Sequence, residues 1–177
     1  MGRARPGRRD AAIVPLVIGL GNEHRGDDAA GLLVARRLGP RLVGIARTIE
    51  LPSEGTRLLD LWDGGGLVVV VDAVSSGRPP GTVHRIEVGA DPLRTPLGAT
   101  STHGLSIAEA VSLGQVLGRM PRRLIVFGVE GARFLTGTAV SEAVSDAVEG
   151  VAEAIEREIR RERTDAIAAE PGGRLDA

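Results

Sequence analysis

Three runs of this chain are apolar without alternation: IVPLVIGL at Ile13–Leu20, LVVVVDAV at Leu67–Val74 and RLIVFGV at Arg123–Val129. A strand with one face in water alternates polar and apolar residues, whereas a strand apolar on both faces belongs inside a sheet that is covered on both sides. Between these runs the spacing is helical. From Asp28 to Leu38, residues Ala29, Leu32, Leu33 and Leu38 form a stripe, Arg36 and Arg37 point away and complement the helix dipole, and Gly39-Pro40 stops the helix. Ile107, Ala110, Val111, Gly114 and Leu117 recur at three- and four-residue intervals, and Val140–Ile159 does so over a longer helix. Leu42–Leu51 reads as a second strand, Thr56–Leu61 as a short helix, and Thr82–Val88 as a strand entered by the turn Gly77-Arg78-Pro79-Pro80-Gly81. Strand and helix thus alternate. The predicted fold class is α/β: a three-layer α/β/α sandwich of the phosphorylase/hydrolase-like kind, with a mainly parallel, twisted sheet of about five strands.

A chain of 177 residues fits one domain. That domain is placed at residues 12–160, with 1–11 and 161–177 as flexible termini that have little to bury. No cysteine is present, which excludes disulfides, thiolate metal sites and a cysteine nucleophile. A net charge of −1 and an aromatic content of 2% argue against nucleic acid, because neither a basic field nor stacking platforms are available. The apolar run at Ile13–Leu20 is too short to span a membrane and makes a poor signal peptide. The expectation is a cytoplasmic protein with no membrane partner, and, since no long exposed apolar stripe asks for a partner, a monomer.

In an open α/β sheet, ligands collect at the carboxyl ends of the strands. Three candidate ligands fall there: Asp28 one loop after the first strand, Asp72 ending the buried run VVVVD, and His103 in the loop STHGLS before a helix. Each has a plainer reading. Asp27 or Asp28 can cap the first helix, Asp72 can be a turn residue, and His103 can be an ordinary loop histidine. Two hard oxygen ligands and one imidazole with open positions make a site for a divalent transition ion. Adjacent helical residues do not share a face, so one of Asp27 and Asp28 can serve the turn and helix start while the other points toward the sheet's edge. Gly19, Gly21 and Gly26 miss the dinucleotide spacing and instead allow a tight strand-to-helix turn, which Asn22 fixes by a side-chain hydrogen bond or uses to touch substrate. His24 and His84 read as an exposed loop residue and an outward position on an edge strand. Neither a G-x-S-x-G elbow nor an H-E-x-x-H helix is present. Residues 89–102, rich in proline and small polar side chains, form a candidate binding loop.

An apolar strand followed by GxGN, four variable residues, DD and a glycine, then VVxVDAV and a histidine before a helix, resembles the hydrogenase maturation endopeptidases. The resemblance runs from about Ile13 to Glu158 and includes Gly137-Thr138-Ala139-Val140-Ser141 opening the last helix. It implies an aspartic-type endopeptidase that trims the C-terminus of the precursor of a [NiFe]-hydrogenase large subunit. By this resemblance Asp28, Asp72 and His103 bind nickel already inserted in the substrate, and Asp28 and Asp72 are the catalytic pair. Gly21, Asn22, Asp27 and Ser53 are assigned to substrate binding or the turn. Where the family has an acidic-Gly-Gly-Thr/Ser stretch, this chain has Glu50-Leu51-Pro52-Ser53, a stiffer segment beside the expected substrate path. Two other readings stand beside it: a nickel-binding checkpoint protein that keeps the ligands but does not cut, and a free-standing peptidase for short peptides.

Overall fold

The computed structural model describes residues 14–52, 57–62, 66–89 and 107–169. Strand β1 (Leu16–Gly21) leads through a 3-10 turn (Gly26–Ala29) into helix α1 (Ala30–Leu38), and β2 spans Arg47–Pro52. Then come α2 (Leu58–Leu61), β3 (Leu67–Val74), β4 (Val83–Val88), α3 (Ile107–Val116), β5 (Arg123–Glu130) and α4 (Glu142–Ala169). The five strands lie in the order β2-β1-β3-β5-β4. All neighbours are parallel except β4, which runs antiparallel to β5 at the edge.

The apolar runs are the interior of this sheet. Val17, Val69, Val71, Phe127 and Val129 pack on one face against Ala30, Val34 and Leu38 of α1 and Val144, Val148, Val151, Ile155 and Ile159 of α4. Leu16, Ile18, Val68, Val70, Leu124 and Val126 pack on the other against Leu58 and Leu59 of α2, Trp62, and Ile107, Ala110 and Val111 of α3. Three layers result, as the unalternating runs require. Backbone contact between α1 and the sheet is bought with glycine. A methyl group at Gly31 would stand 2.3 Å from the carbonyl oxygens of both Leu20 and Val71, so α1 can lie this close to β1 and β3 only without a side chain there.

Two elements differ from the sequence expectation. The second strand starts at Arg47, not Leu42, because Gly39–Leu42 form a 3-10 turn that buries Leu42 in the core, and Gly44 then reverses the chain at φ 74°. The last helix begins at Glu142 and continues to Ala169, so the boundary expected near residue 160 falls inside it. Charge explains the extension: Glu158 bonds Arg85 and Arg123, and Glu162, one turn later, bonds Arg122 and Arg123. These pairs fasten α4 to the start of β5 and to β4, where Glu87 also bonds Arg123, whose guanidinium holds the Glu87 carboxyl at about 2. On α3, Leu113 and Val116, with Leu117 just beyond, face outward among the described residues, although Leu117 was expected on the buried stripe and such an apolar patch was not expected at all.

Candidate functional site

The C-terminal ends of β1, β3 and β5 lie side by side, and acidic side chains gather there. Asp72 follows Val68 and Val70 in phase, on the α2–α3 face of the sheet. It is 8% exposed, and one carboxylate oxygen accepts the N–H of Ala73 at 2.9 Å. Asp28 stands in the 3-10 turn over the end of neighbouring β1 and is 4% exposed. Its carbonyl oxygen accepts the N–H of Asn22 at 3.2 Å, and its carboxylate lies 3.6 Å from the Arg25 guanidinium. This approach depends on Gly21, whose φ of 140° and missing side chain leave room for the Asp28 carbonyl; a methyl group there would stand 1.9 Å from that oxygen. Asn22 accepts the N–H of His24 at 2.9 Å and so closes the loop as expected.

Asp27 does something else. It is fully buried and caps no residue of the first helix. Its carboxylate accepts three backbone N–H groups, from Ala132 at 2.8 Å, Arg133 at 3.0 Å and Ser141 at 2.6 Å, while its own N–H donates to the Arg133 carbonyl at 2.7 Å. Burial pushes the Asp27 carboxyl up, but the N–H groups of Ser141, Ala132 and Arg133 outweigh it, and the net is below the ordinary carboxylate value. The expected role at the start of α1 is therefore corrected: Asp27 secures the β5–α4 loop and the entry to α4.

A second buried carboxylate ends β5. Glu130 is 1% exposed; its oxygens accept the Ser76 N–H at 2.9 Å, the Ser76 hydroxyl, and His84 Nε2 at 2.8 Å. Burial raises the Glu130 carboxyl, but the bonds from Ser76 and His84 outweigh it and leave the group below its ordinary value. His84 does lie on the edge strand β4, but it is bound inward to this carboxylate rather than idle.

With this geometry in view, comparison with known proteins decides the family. The model of the family described as hydrogenase maturation protease matches residues 47–158, more than half of the chain. The chain belongs to that family. Its matched part holds Asp72, His84 and Glu130 and leaves Asp28 outside. A hydrogenase expression/formation protein HupD from Thiocapsa roseopersicina is 31% identical over 118 residues, covering 65% of this chain and 53% of the relative. The protein of the same name from Bradyrhizobium diazoefficiens is 25% identical over 118 residues, covering 65% of this chain and 61% of that one. The chain thus spans less than two thirds of these relatives. Among solved structures, the maturation protease HycI from Thermococcus kodakarensis KOD1 is 29% identical with a TM-score of 0.65, covering 84% of this chain and 93% of that one. The maturating endopeptidase HybD from E. coli gives a TM-score of 0.73 over the same shares, and at 22% identity that likeness speaks to the fold.

Of the maturation-protease residues expected from sequence, the structure brings Asp28 and Asp72 to adjacent strand ends and places Gly21, Asn22 and Asp27 around them. His103, Ser53 and most of the expected 89–102 loop lie outside the described residues. Among the described residues no three His, Asp or Glu side chains form a group able to hold a metal ion. The stiff segment is regular: β2 runs through Leu51 and Pro52, which pair in register with Leu20 and Gly21, and Glu50 is bonded by Arg36 at 2.8 Å. The Ser76–Glu130–His84 cluster was missed, because its members are brought together only by strand order. The sole sequence signal was a histidine on an otherwise half-exposed strand.

Proposed function

We propose that this protein is an endopeptidase that removes the C-terminal extension of a nickel-loaded [NiFe]-hydrogenase large-subunit precursor. The nickel belongs to the substrate, and Asp28, Asp72 and His103 are the residues that read it. The observation that carries this reading is the pair of buried aspartates at the C-terminal ends of the central strands β1 and β3 in a member of this family. Two carboxylates offer hard oxygen donors and leave positions for the ligands the precursor already supplies. The substrate then brings both the metal and contact area, so nickel acts as the licence for cutting. Hydrolysis adds water across the scissile amide: the water oxygen bonds to the carbonyl carbon, its proton passes to Asp28 or Asp72, and the amine departs with a proton in its turn. The metal, where it contacts the carbonyl oxygen, supplies Lewis-acid polarisation.

The setting proposed is cytoplasmic and the working unit a monomer that meets its substrate transiently; no helix among the described residues is long and apolar enough to cross a membrane. The test is the intact mass of the precursor, nickel-loaded and nickel-free, after incubation with this protein. Loss of a C-terminal peptide from the loaded form alone supports the reading. One observation favours a second reading, that of a checkpoint protein that binds without cutting: Leu51 and Pro52 continue a regular strand where the resemblance in sequence leads one to expect a glycine pair. A stable complex with a nickel-loaded precursor of unchanged mass would select it.

A further inference from the structure

We propose that Glu130 and His84 form a further substrate-contact element of this site, in which Glu130 fixes the imidazole so that His84 Nδ1 accepts a hydrogen bond from an N–H donor on the substrate's peptide tail. This rests on the reading of a hydrogenase precursor as the partner, and it names a specificity element of the same site.

The tautomer follows from the donor count. Glu130 is held as a carboxylate, which can only accept. Its oxygens face the Ser76 N–H, the Ser76 hydroxyl and His84 Nε2, so Nε2 carries the hydrogen. In the neutral ring Nδ1 is then the bare acceptor, and His84 has no other bond among the described residues. A carboxylate that orients an imidazole in this way preorganises the opposite nitrogen for a partner. The clamp itself is rigid. The Gly81 N–H donates to the Glu130 carbonyl at 2.8 Å, the Glu130 N–H to the Thr82 carbonyl at 2.9 Å, and the Gly131 N–H to the Val74 carbonyl at 2.9 Å.

The position is also specific. Asp72 on β3, Gly128 on β5 and His84 on β4 stand opposite one another across the sheet, so their side-chain positions share one face. Two strand spacings separate the backbones of Asp72 and His84, about 10 Å, the length of roughly three residues of extended peptide. The middle position carries no side chain: a methyl group at Gly128 would stand 3.1 Å from Val74 Cγ1 and 3.7 Å from His84 Cβ. A tail whose scissile bond lies at the aspartates can therefore meet His84 about three residues along. Because His84 is 31% exposed at its side chain while Glu130 is buried, the contact is offered by the imidazole and supported from behind by the carboxylate.

The test uses the full-length protein. Long-range proton–nitrogen NMR spectra are expected to show His84 as the Nε2–H tautomer. His84→Gln keeps an Nε2 donor for Glu130 but has nothing at the Nδ1 position, so it is expected to melt like the unmutated protein. It should raise KM for the nickel-loaded precursor about tenfold with kcat little changed, the worth of one hydrogen bond. Should the unmutated protein bind the precursor without shortening it, the protease reading falls and the same tenfold loss is read in Kd. Replacing the basic side chains of the tail by alanine identifies the donor: a retained effect assigns a backbone amide, a lost one a side chain. An Nδ1–H tautomer, or a His84→Gln variant with unchanged KM or Kd, overturns the proposal. So does an unmutated protein that neither binds nor shortens the precursor.

Discussion

Asp27 and Glu130 are both buried carboxylates at the same end of the sheet, both surrounded by donors and both held below their ordinary pKa, yet they spend their oxygens differently. Asp27 takes three backbone N–H groups, joined only by the hydroxyl of Ser141, itself one of those three residues, and welds a loop in place. Glu130 divides its bonds between a turn and an imidazole that is partly open to solvent. A carboxylate saturated by backbone is an anchor, whereas one that grips a titratable side chain also presents that side chain to whatever approaches. Burial by itself distinguishes nothing here; the identity of the donors does.

The largest effect should come from breaking the anchor. Asp27→Ala leaves three inward-facing N–H groups unpaired and should cost roughly 3–5 kcal/mol in denaturant unfolding, enough to threaten folding altogether. Asp27→Asn keeps one acceptor oxygen and should cost about half as much, with faster amide exchange at Ala132, Arg133 and Ser141. Glu130→Ala ranks next, at about 2–3 kcal/mol, because Ser76 and His84 can turn partly to water while the backbone of Asp27's partners cannot.

Acid provides a sharper comparison. Both groups have folded pKa values below the unfolded value of about 4, so each adds stability above that pH, and the contribution is lost as pH falls through the folded values. Unfolding free energy followed from pH 5 down to pH 2 should drop steeply for the unmutated protein, and less steeply for Asp27→Asn or Glu130→Gln. Equal slopes would show that these carboxylates titrate normally. The smallest effect belongs to His84→Gln, within about 0.5 kcal/mol of the unmutated stability, since it preserves the bond to Glu130.

The contrast also explains what could be read in the sequence. The central strands were legible because apolar runs such as VVVV need no partner to declare themselves, and with them the placing of Asp72, which ends one run, and of Asp28, one loop after another, at the same end of the sheet. Asp27's true partners lie more than a hundred positions downstream, at Ala132, Arg133 and Ser141, and no local pattern points to them. Local reasoning assigned it to the nearest helix, whose N-terminus it does not cap. His84 looked idle for the same reason, since Glu130 reaches it only once β4 pairs antiparallel with β5. The end of α4 was misjudged because Glu162 fell in the stretch expected to be a flexible terminus, and nothing local shows that Arg122 and Arg123 fold against it as Arg85 and Arg123 do against Glu158. Periodicity reports burial; it does not report which polar groups will meet.

The central claim is that Asp28 and Asp72 together act on a nickel-loaded precursor, and the most direct measurement is its intact mass after incubation with the unmutated protein, Asp28→Asn and Asp72→Asn. The account predicts loss of a C-terminal peptide with the unmutated protein and a rate at least a hundredfold lower, about 3 kcal/mol of barrier, with either variant. Processing at the unmutated rate by both variants would contradict it.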